Sequence, residues 1–200
     1  TTKYSNGTNI INLTSNAEWT ADTSGAYCEY DNSVGLYKNP YGYLYNWYSL
    51  DNSNGIVYFK RNNIQEVDWK LSSDEDFTTL INYLGGESSA GGKLKEIGFS
   101  HWSGPNTGAS NESGFTALGA GTRNNSGIFG EILLSSWLTS NVLDFSFPKY
   151  LSLDYTSTTA SVTNTFKNYG FSVRCIRDID TSILLKFTTE SSTFDPVLTT

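Results

Sequence analysis

The chain has 200 residues, a formal net charge of −7, a pI near 4.6, and 14% aromatic against 16% charged residues. With no Lys/Arg surplus to neutralise phosphates, the composition excludes a basic nucleic-acid binder. Low charge density and 29 aromatic residues exclude disorder, and no apolar run approaches the ~18 residues of a membrane-spanning helix. Ser, Thr and Asn number 26, 23 and 19, about a third of the chain, which suits one loop-rich or β-rich extracellular domain, alone or with tails.

In chain order, Ile10, Ile11 and Leu13 lie among turn formers and predict a short strand; AYCEY at 26–30 alternates as another. In YGYLYNWYSL (41–50), Leu44, Trp47 and Tyr48 fall at i, i+3, i+4, so a short helix is expected there. DNSNG at 51–55 is a turn, followed by a brief strand over Ile56–Phe59. The clearest helix follows Trp69. Ser73 is its N-cap, Asp74, Glu75 and Asp76 suit the positive end of its dipole, and Gly85-Gly86 stops it. Phe77, Leu80, Ile81 and Leu84 form one apolar stripe, read as core packing.

From Gly85 to Gly130 the chain is rich in Gly, Ser and Asn, with apolar anchors at Leu94, Ile97, Trp102, Phe115, Leu118, Ile128 and Phe129. A plain connection is rarely that long, so an ordered, loop-rich region is expected. Strands are then predicted over Tyr150–Tyr155, Ser161–Phe166 and Phe171–Ile176. In the last of these Phe171, Val173 and Cys175 share a face, and Arg174 is expected to make an ion pair. From Asp178 onward the chain reads as a linker and a tail, whose apolar run Ile183–Phe187 has the look of a truncated element.

Cys28 and Cys175 are far apart, which is wrong for a CxxC redox or zinc motif. Two readings remain: a structural disulfide, which is the expectation, or two buried thiols. A bridge closing most of the chain would remove roughly 5 kcal/mol of denatured-state entropy in the chain-entropy picture. No basic and apolar leader pattern is visible, and a start at Thr1 reads as a mature or excised fragment.

Four stretches taken in order, YGYLYNWYSL (41–50), DFTTLINYLGGESSAGGKLKE (76–96), HWSGPNTGASNESGFTAL (101–118) and YGFSVRCIRD (169–178), resemble the Fibrobacter succinogenes major paralogous domain. That family occurs on secreted and surface proteins of Bacteroidetes and relatives and in some of their phages. KYSNGTNIINLTSNAEW (3–19) and AYC (26–28) fit its N-terminal part. The resemblance implies an α+β, C-type-lectin-like fold over residues 1–178: a few short helices, a twisted antiparallel sheet and a long loop region, with 179–200 as linker or the start of another segment. Both cysteines lie at the family's usual positions. Three departures stand out. A strand-containing segment expected before KYSNGT is missing. Lys70-Leu71-Ser72-Ser73 replaces the family's pattern before the long helix, and Leu133-Leu134-Ser135-Ser136 replaces its Trp-Trp-Ser-Ser.

Catalysis has little support, because His101 is the only histidine and any Ser-His or Cys-His machine would have to use it. Asn106, Asn111, Glu112, Asn124 and Asn125 offer the hard oxygens that calcium takes, but no regular ligand spacing; turn capping is the preferred reading and no cofactor is expected. Binding fits better. Aromatic rings stack and amides pair with polar groups on sugars and protein surfaces. The candidate ligand-binding residues are Trp102, Asn106, Asn111, Glu112, Trp137, Tyr150 and Tyr155, with the segment Ser136–Lys149 as a recognition surface. The expected function is a non-catalytic extracellular or cell-surface recognition or adhesion module for a glycan or protein surface. The alternative is a structural or decorating domain of a surface assembly or phage virion. In either case there is no nucleic-acid partner and no membrane insertion, and assembly into oligomers is compatible.

Overall fold

The computed structural model describes residues 1–57, 69–130, 134–140 and 147–177. It is a mixed α+β structure of short helices and small sheets. Short apolar runs between turn formers give short elements: Ile11–Asn12 (β1), Asn16–Ala21 (α1), Ala26–Cys28 (β2), Lys38–Tyr41 (α2), Leu44–Tyr45 (β3) and Trp47–Leu50 (α3). After these come Trp69–Leu71 (β4), Asp74–Tyr83 (α4), Glu87–Leu94 (α5), Leu134–Leu138 (β5), Lys149–Asp154 (β6), Ala160–Asn164 (β7), Ser172–Val173 (β8) and Cys175–Arg177 (β9).

The strands pair as β1-β2-β3, as β4-β9, and as β7-β6-β5-β8, with β5–β8 and β1–β2 parallel. Tyr45 and Phe171 exchange backbone hydrogen bonds of 2.8 and 3.1 Å, which hooks the first sheet onto the segment leading into β8. Helices α4 and α5 cover the four-stranded sheet. The main core joins Phe77, Ile81 and Leu84 of α4, Ala90 and Leu94 of α5, Trp102, Ala117, and Trp137, Leu151, Leu153 and Ala160 of the sheet. The stripe read from the sequence is therefore core, with Leu80 packed partly buried beside it. Ser73 caps α4 as expected, and the cap is a full capping box: its hydroxyl accepts from the Asp76 amide, and the Asp76 carboxylate accepts from the Ser73 amide.

Two cations lie inside the fold. Arg123 is fully buried. Its guanidinium donates to the carbonyls of Gly127, Leu13 and Thr14 and to Asn16 Oδ1 at 2.6–3.1 Å, and sits 4.5 Å from the Trp19 ring centre and 4.8 Å from that of Phe129. Lys95 is also fully buried. Its ammonium donates to the carbonyls of Asp154 and Ser157 at 2.9 and 2.8 Å, so it ties the end of α5 to the β6–β7 turn. Neither has a carboxylate partner among the described residues; each is held by carbonyl dipoles.

Several expectations are corrected. YGYLYNWYSL is not one helix: Leu44 and Tyr45 are drawn into β3 by pairing with Tyr27 and Cys28, and only the single turn of α3 follows. Ile56 and Val57 form no strand, Ile56 being core, while Tyr58 and Phe59 lie outside the described residues. The region 85–130 contains α5, and β5 has no counterpart among the strands expected from the sequence. Phe171–Ile176 splits at Arg174, so Val173 pairs with Leu138 and Cys175 with Leu71 in different sheets. Arg174 makes no ion pair among the described residues; it donates to the Phe115 carbonyl and lies over that ring. Cys28 and Cys175 are both free. Cys28 points into the Trp19 cluster against Arg123, whereas Cys175 is carried off by β9, so the expected bridge is not formed. Residues 179–200 lie outside the described part.

Candidate recognition surface

The sequence-predicted site residues do not converge on one surface. Trp102 and Trp137, 3% and 5% exposed, are core, and a ring so enclosed has no face to offer a ligand. Tyr155 packs partly buried against that same core. Asn111 braces a turn, accepting from the Thr116 amide and donating to its hydroxyl, while Asn124 accepts from the amides of Ser126 and Ile128. Glu112 is exposed and pairs with Lys93 at 3.4 Å, while the Asn125 carbonyl accepts from Asn168. These oxygens belong to the loops' own hydrogen bonds and ion pairs. Among the described residues no three His, Cys, Asp or Glu side chains gather.

Tyr150 is placed differently. It stacks on Phe171 at 4.5 Å and 15°, beginning an aromatic run through Tyr169 and Phe166 to exposed Phe147. Phe147 belongs to the expected recognition segment Ser136–Lys149, whose residues 141–146 lie outside the description.

A second assembly of aromatic side chains falls outside the sequence-predicted set. Between Tyr27 and Tyr48 the chain carries seven tyrosines. Six of these rings form two connected groups, Tyr27–Tyr43–Tyr45 and Phe129–Tyr30–Tyr37–Tyr41, the second ending on the imidazole of His101, while Tyr48 packs on Trp47. The Tyr41 and His101 rings meet edge to face, with centres 5.5 Å apart and planes at 90°. Tyr27, Tyr37, Tyr41 and Tyr43 are half-buried, so each keeps part of its ring and hydroxyl in water while the rest is fixed by neighbours. A Tyr side chain costs little conformational entropy when it binds, since only two torsions are ordered.

His101 comes from the loop that follows α5. Its Nδ1 lies 2.8 and 3.0 Å from the two carboxylate oxygens of Glu96. That loop is held from beneath by two residues read from the sequence as ligand contacts. Asn106 donates through Nδ2 to the carbonyls of Glu96 and Gly98 at 2.9 and 2.7 Å, and the Trp102 indole donates to the Ala117 carbonyl at 2.7 Å. The His101 carbonyl accepts from the Gly119 amide at 3.1 Å. Ile97 and Phe99, on the same loop, are 64% and 67% exposed. Val34 and Leu36, beside Tyr37, are exposed as well. Burial and the nearby Glu96 and Tyr37 push the Tyr41 hydroxyl pKa up, so it stays protonated near neutral pH.

The family model of the Fibrobacter succinogenes major domain matches residues 1–177. The chain belongs to this family. No curated protein and no solved structure matches it. The Fibrobacter succinogenes major domain thus takes in both the tyrosine groups and the Glu96–His101 loop.

The sequence signal for this surface is the density of tyrosines around 27–48 together with the lone histidine. The helical spacing of Leu44, Trp47 and Tyr48 masks it, because it assigns part of that stretch to an inward-facing helix.

Proposed function

We propose that this chain is a non-catalytic recognition module of C-type-lectin-like fold that grips a glycan or protein surface outside the cell. The observation that carries the reading is the row of half-buried tyrosines ending on the Glu96–His101 pair, flanked by exposed Ile97 and Phe99. Partly exposed Tyr rings combine apolar area with hydrogen-bonding tips, the usual chemistry of recognition surfaces. The order of short helices, small sheets and a long ordered loop region supports the lectin-like reading, as does membership of the family. The acidic, neutral-polar composition supports a secreted or surface location.

The non-catalytic part rests on His101. It makes no hydrogen bond to a serine, threonine or cysteine among the described residues, so no activated nucleophile stands beside it there. No cofactor and no nucleic-acid partner enter the proposal.

A second reading, a decorating or structural domain of a surface assembly or virion, is favoured by one observation: Val34, Leu36, Ile97 and Phe99 are exposed apolar side chains on the segments that carry the tyrosines and His101, and apolar area left in water favours a contact partner. A glycan array run beside pull-down from host surface extracts tests the first reading. Specific capture supports it. Clean negatives in both, with an assembly that falls apart without this domain, would replace it by the second.

A further inference from the structure

We propose that Tyr41, Glu96 and His101 form a binding site for a neutral, hydroxyl-bearing sugar; this rests on the recognition reading above. A carboxylate carries no hydrogen, so His101 Nδ1, facing both Glu96 oxygens at 3.0 and 2.8 Å, must hold the proton. In the neutral ring that leaves Nε2 as a bare acceptor. Among the described residues Nε2 has no partner, and it is not among the buried unpaired atoms; the side chain is 27% exposed, and that of Glu96 22%. The Tyr41 hydroxyl likewise has no hydrogen-bond partner among the described residues.

The site therefore offers two acceptors, Nε2 and the carboxylate, and one group that both donates and accepts. A ligand must bring donors and no negative charge. Sugar hydroxyls qualify, and because a hydroxyl can also accept, they suit the imidazolium form as well. An ammonium brings donors only and cannot answer the Tyr41 hydroxyl as a donor, whereas a sugar hydroxyl, which both donates and accepts, can. Exposed Phe99 and Ile97 on the Glu96 loop give the C–H face of a pyranose an apolar surface. The loop is set in advance: Asn106 clamps its carbonyls at 96 and 98, and Trp102 and Gly119 fix the His101 end.

The test is a neutral-glycan array with the full chain, then calorimetric titration of any hit against wild type, His101→Phe, Glu96→Gln and, as a control on α4, Tyr83→Ala. Thermal melts establish that each variant is folded. Removing one hydrogen bond from a half-buried polar group is expected to weaken binding about tenfold in His101→Phe and in Glu96→Gln, with Tyr83→Ala unchanged. A glycan hit retained within about twofold by both site variants, on that same tenfold scale, would overturn the site while leaving the recognition reading intact. A captured protein partner that survives deglycosylation but is lost with His101→Phe would overturn the sugar class alone. No binding on the array or from host extracts would overturn both.

Discussion

Arg123 is where the fold is most exposed to a single change. Replacing it with Met keeps an unbranched stem of similar length between Trp19 and Phe129 but removes the side-chain donors that satisfy the carbonyls of Leu13, Thr14 and Gly127 and the amide oxygen of Asn16. The Arg123 backbone bonds to Gly170, 2.9 and 2.7 Å, are untouched. A hydrogen bond to a charged group contributes about 1.5–3 kcal/mol, but the guanidinium's own burial cost is also relieved, so about 1 kcal/mol per lost carbonyl partner is the better figure. Leu13 and Gly127 lose their side-chain donor outright, Thr14 keeps the Asn32 amide, and the Asn16 contact is a smaller addition, so roughly 3 kcal/mol is lost, a large share of the ~5–15 kcal/mol that a domain has. At about 2–4 °C per kcal/mol for a chain of this size, the melting temperature should fall by about 10 °C. Circular-dichroism melts and urea titration read this directly. Arg123→Lys, which keeps the charge but reaches fewer carbonyls, should fall between. An Arg123→Met protein melting within about 2 °C of wild type, less than 1 kcal/mol on that conversion, would refute the claim that these donors hold the N-terminal loop to the 123–127 turn.

Gly91→Ala should destabilise by about 1–3 kcal/mol although Ala is the better helix former, because its Cβ would sit 2.3 Å from the Thr159 carbonyl oxygen; a stabilised variant in urea titration would refute that contact. For Asn106 the expected order of stability is Asn, then Ala, then Asp. Ala loses two donors to carbonyls, about 1–2 kcal/mol, and Asp adds a negative charge facing them. Melts in which Asp equals Asn would contradict it. Burial raises the Cys28 thiol to about 11. The unfolded thiol ionises first, so the folded state's advantage is complete below about pH 9 and is lost as pH rises through about 11, at about 1.4 kcal/mol for each pH unit between those limits. A Cys28→Ala protein should lack that part of the alkaline fall in stability; identical pH profiles would remove the assignment. In the folded protein at pH 8 a maleimide should label half-buried Cys175 before buried Cys28, and a mass measurement that finds the reverse order or a bridge would overturn the free-thiol arrangement.

What can be read from the sequence is local. Helix α4 declares itself because its cap, its acidic first turn and its stripe all lie within a dozen residues and agree. Helix α5 does not, since Gly91 and Gly92 argue against a helix on propensity alone. Their reason is tertiary: α5 passes so close to the carbonyls of Thr159 and Gly108 that a Cβ would stand 2.3 and 2.4 Å from them. Leu44 and Trp47 have helical spacing, yet Phe171, far along the chain, offers Tyr45 two backbone bonds that a helix would forfeit. Arg174 breaks an alternating run in the same way, because the chain must leave the sheet of β5 to reach that of β4.

The surface divides along the same line. Residue type alone nominates Trp102 and Asn106 as ligand contacts, and both do serve the loop that carries Glu96 and His101, but from inside: one amide NH2 satisfies two carbonyls that the loop would otherwise leave unpaired, and the indole N–H joins the Glu96 amide on the Ala117 carbonyl. Residues with strong hydrogen-bonding groups are as valuable for fixing an irregular loop as for holding a ligand, and sequence cannot separate the two uses. Burial does. Tyr41 and His101 keep accessible, unspent hydrogen-bonding capacity, and each is positioned by the other from a distant part of the chain. The proposed site, assembled from residues near 41 and near 100, leaves no spacing pattern to find, so its polar centre becomes visible only where the loop and the tyrosines meet.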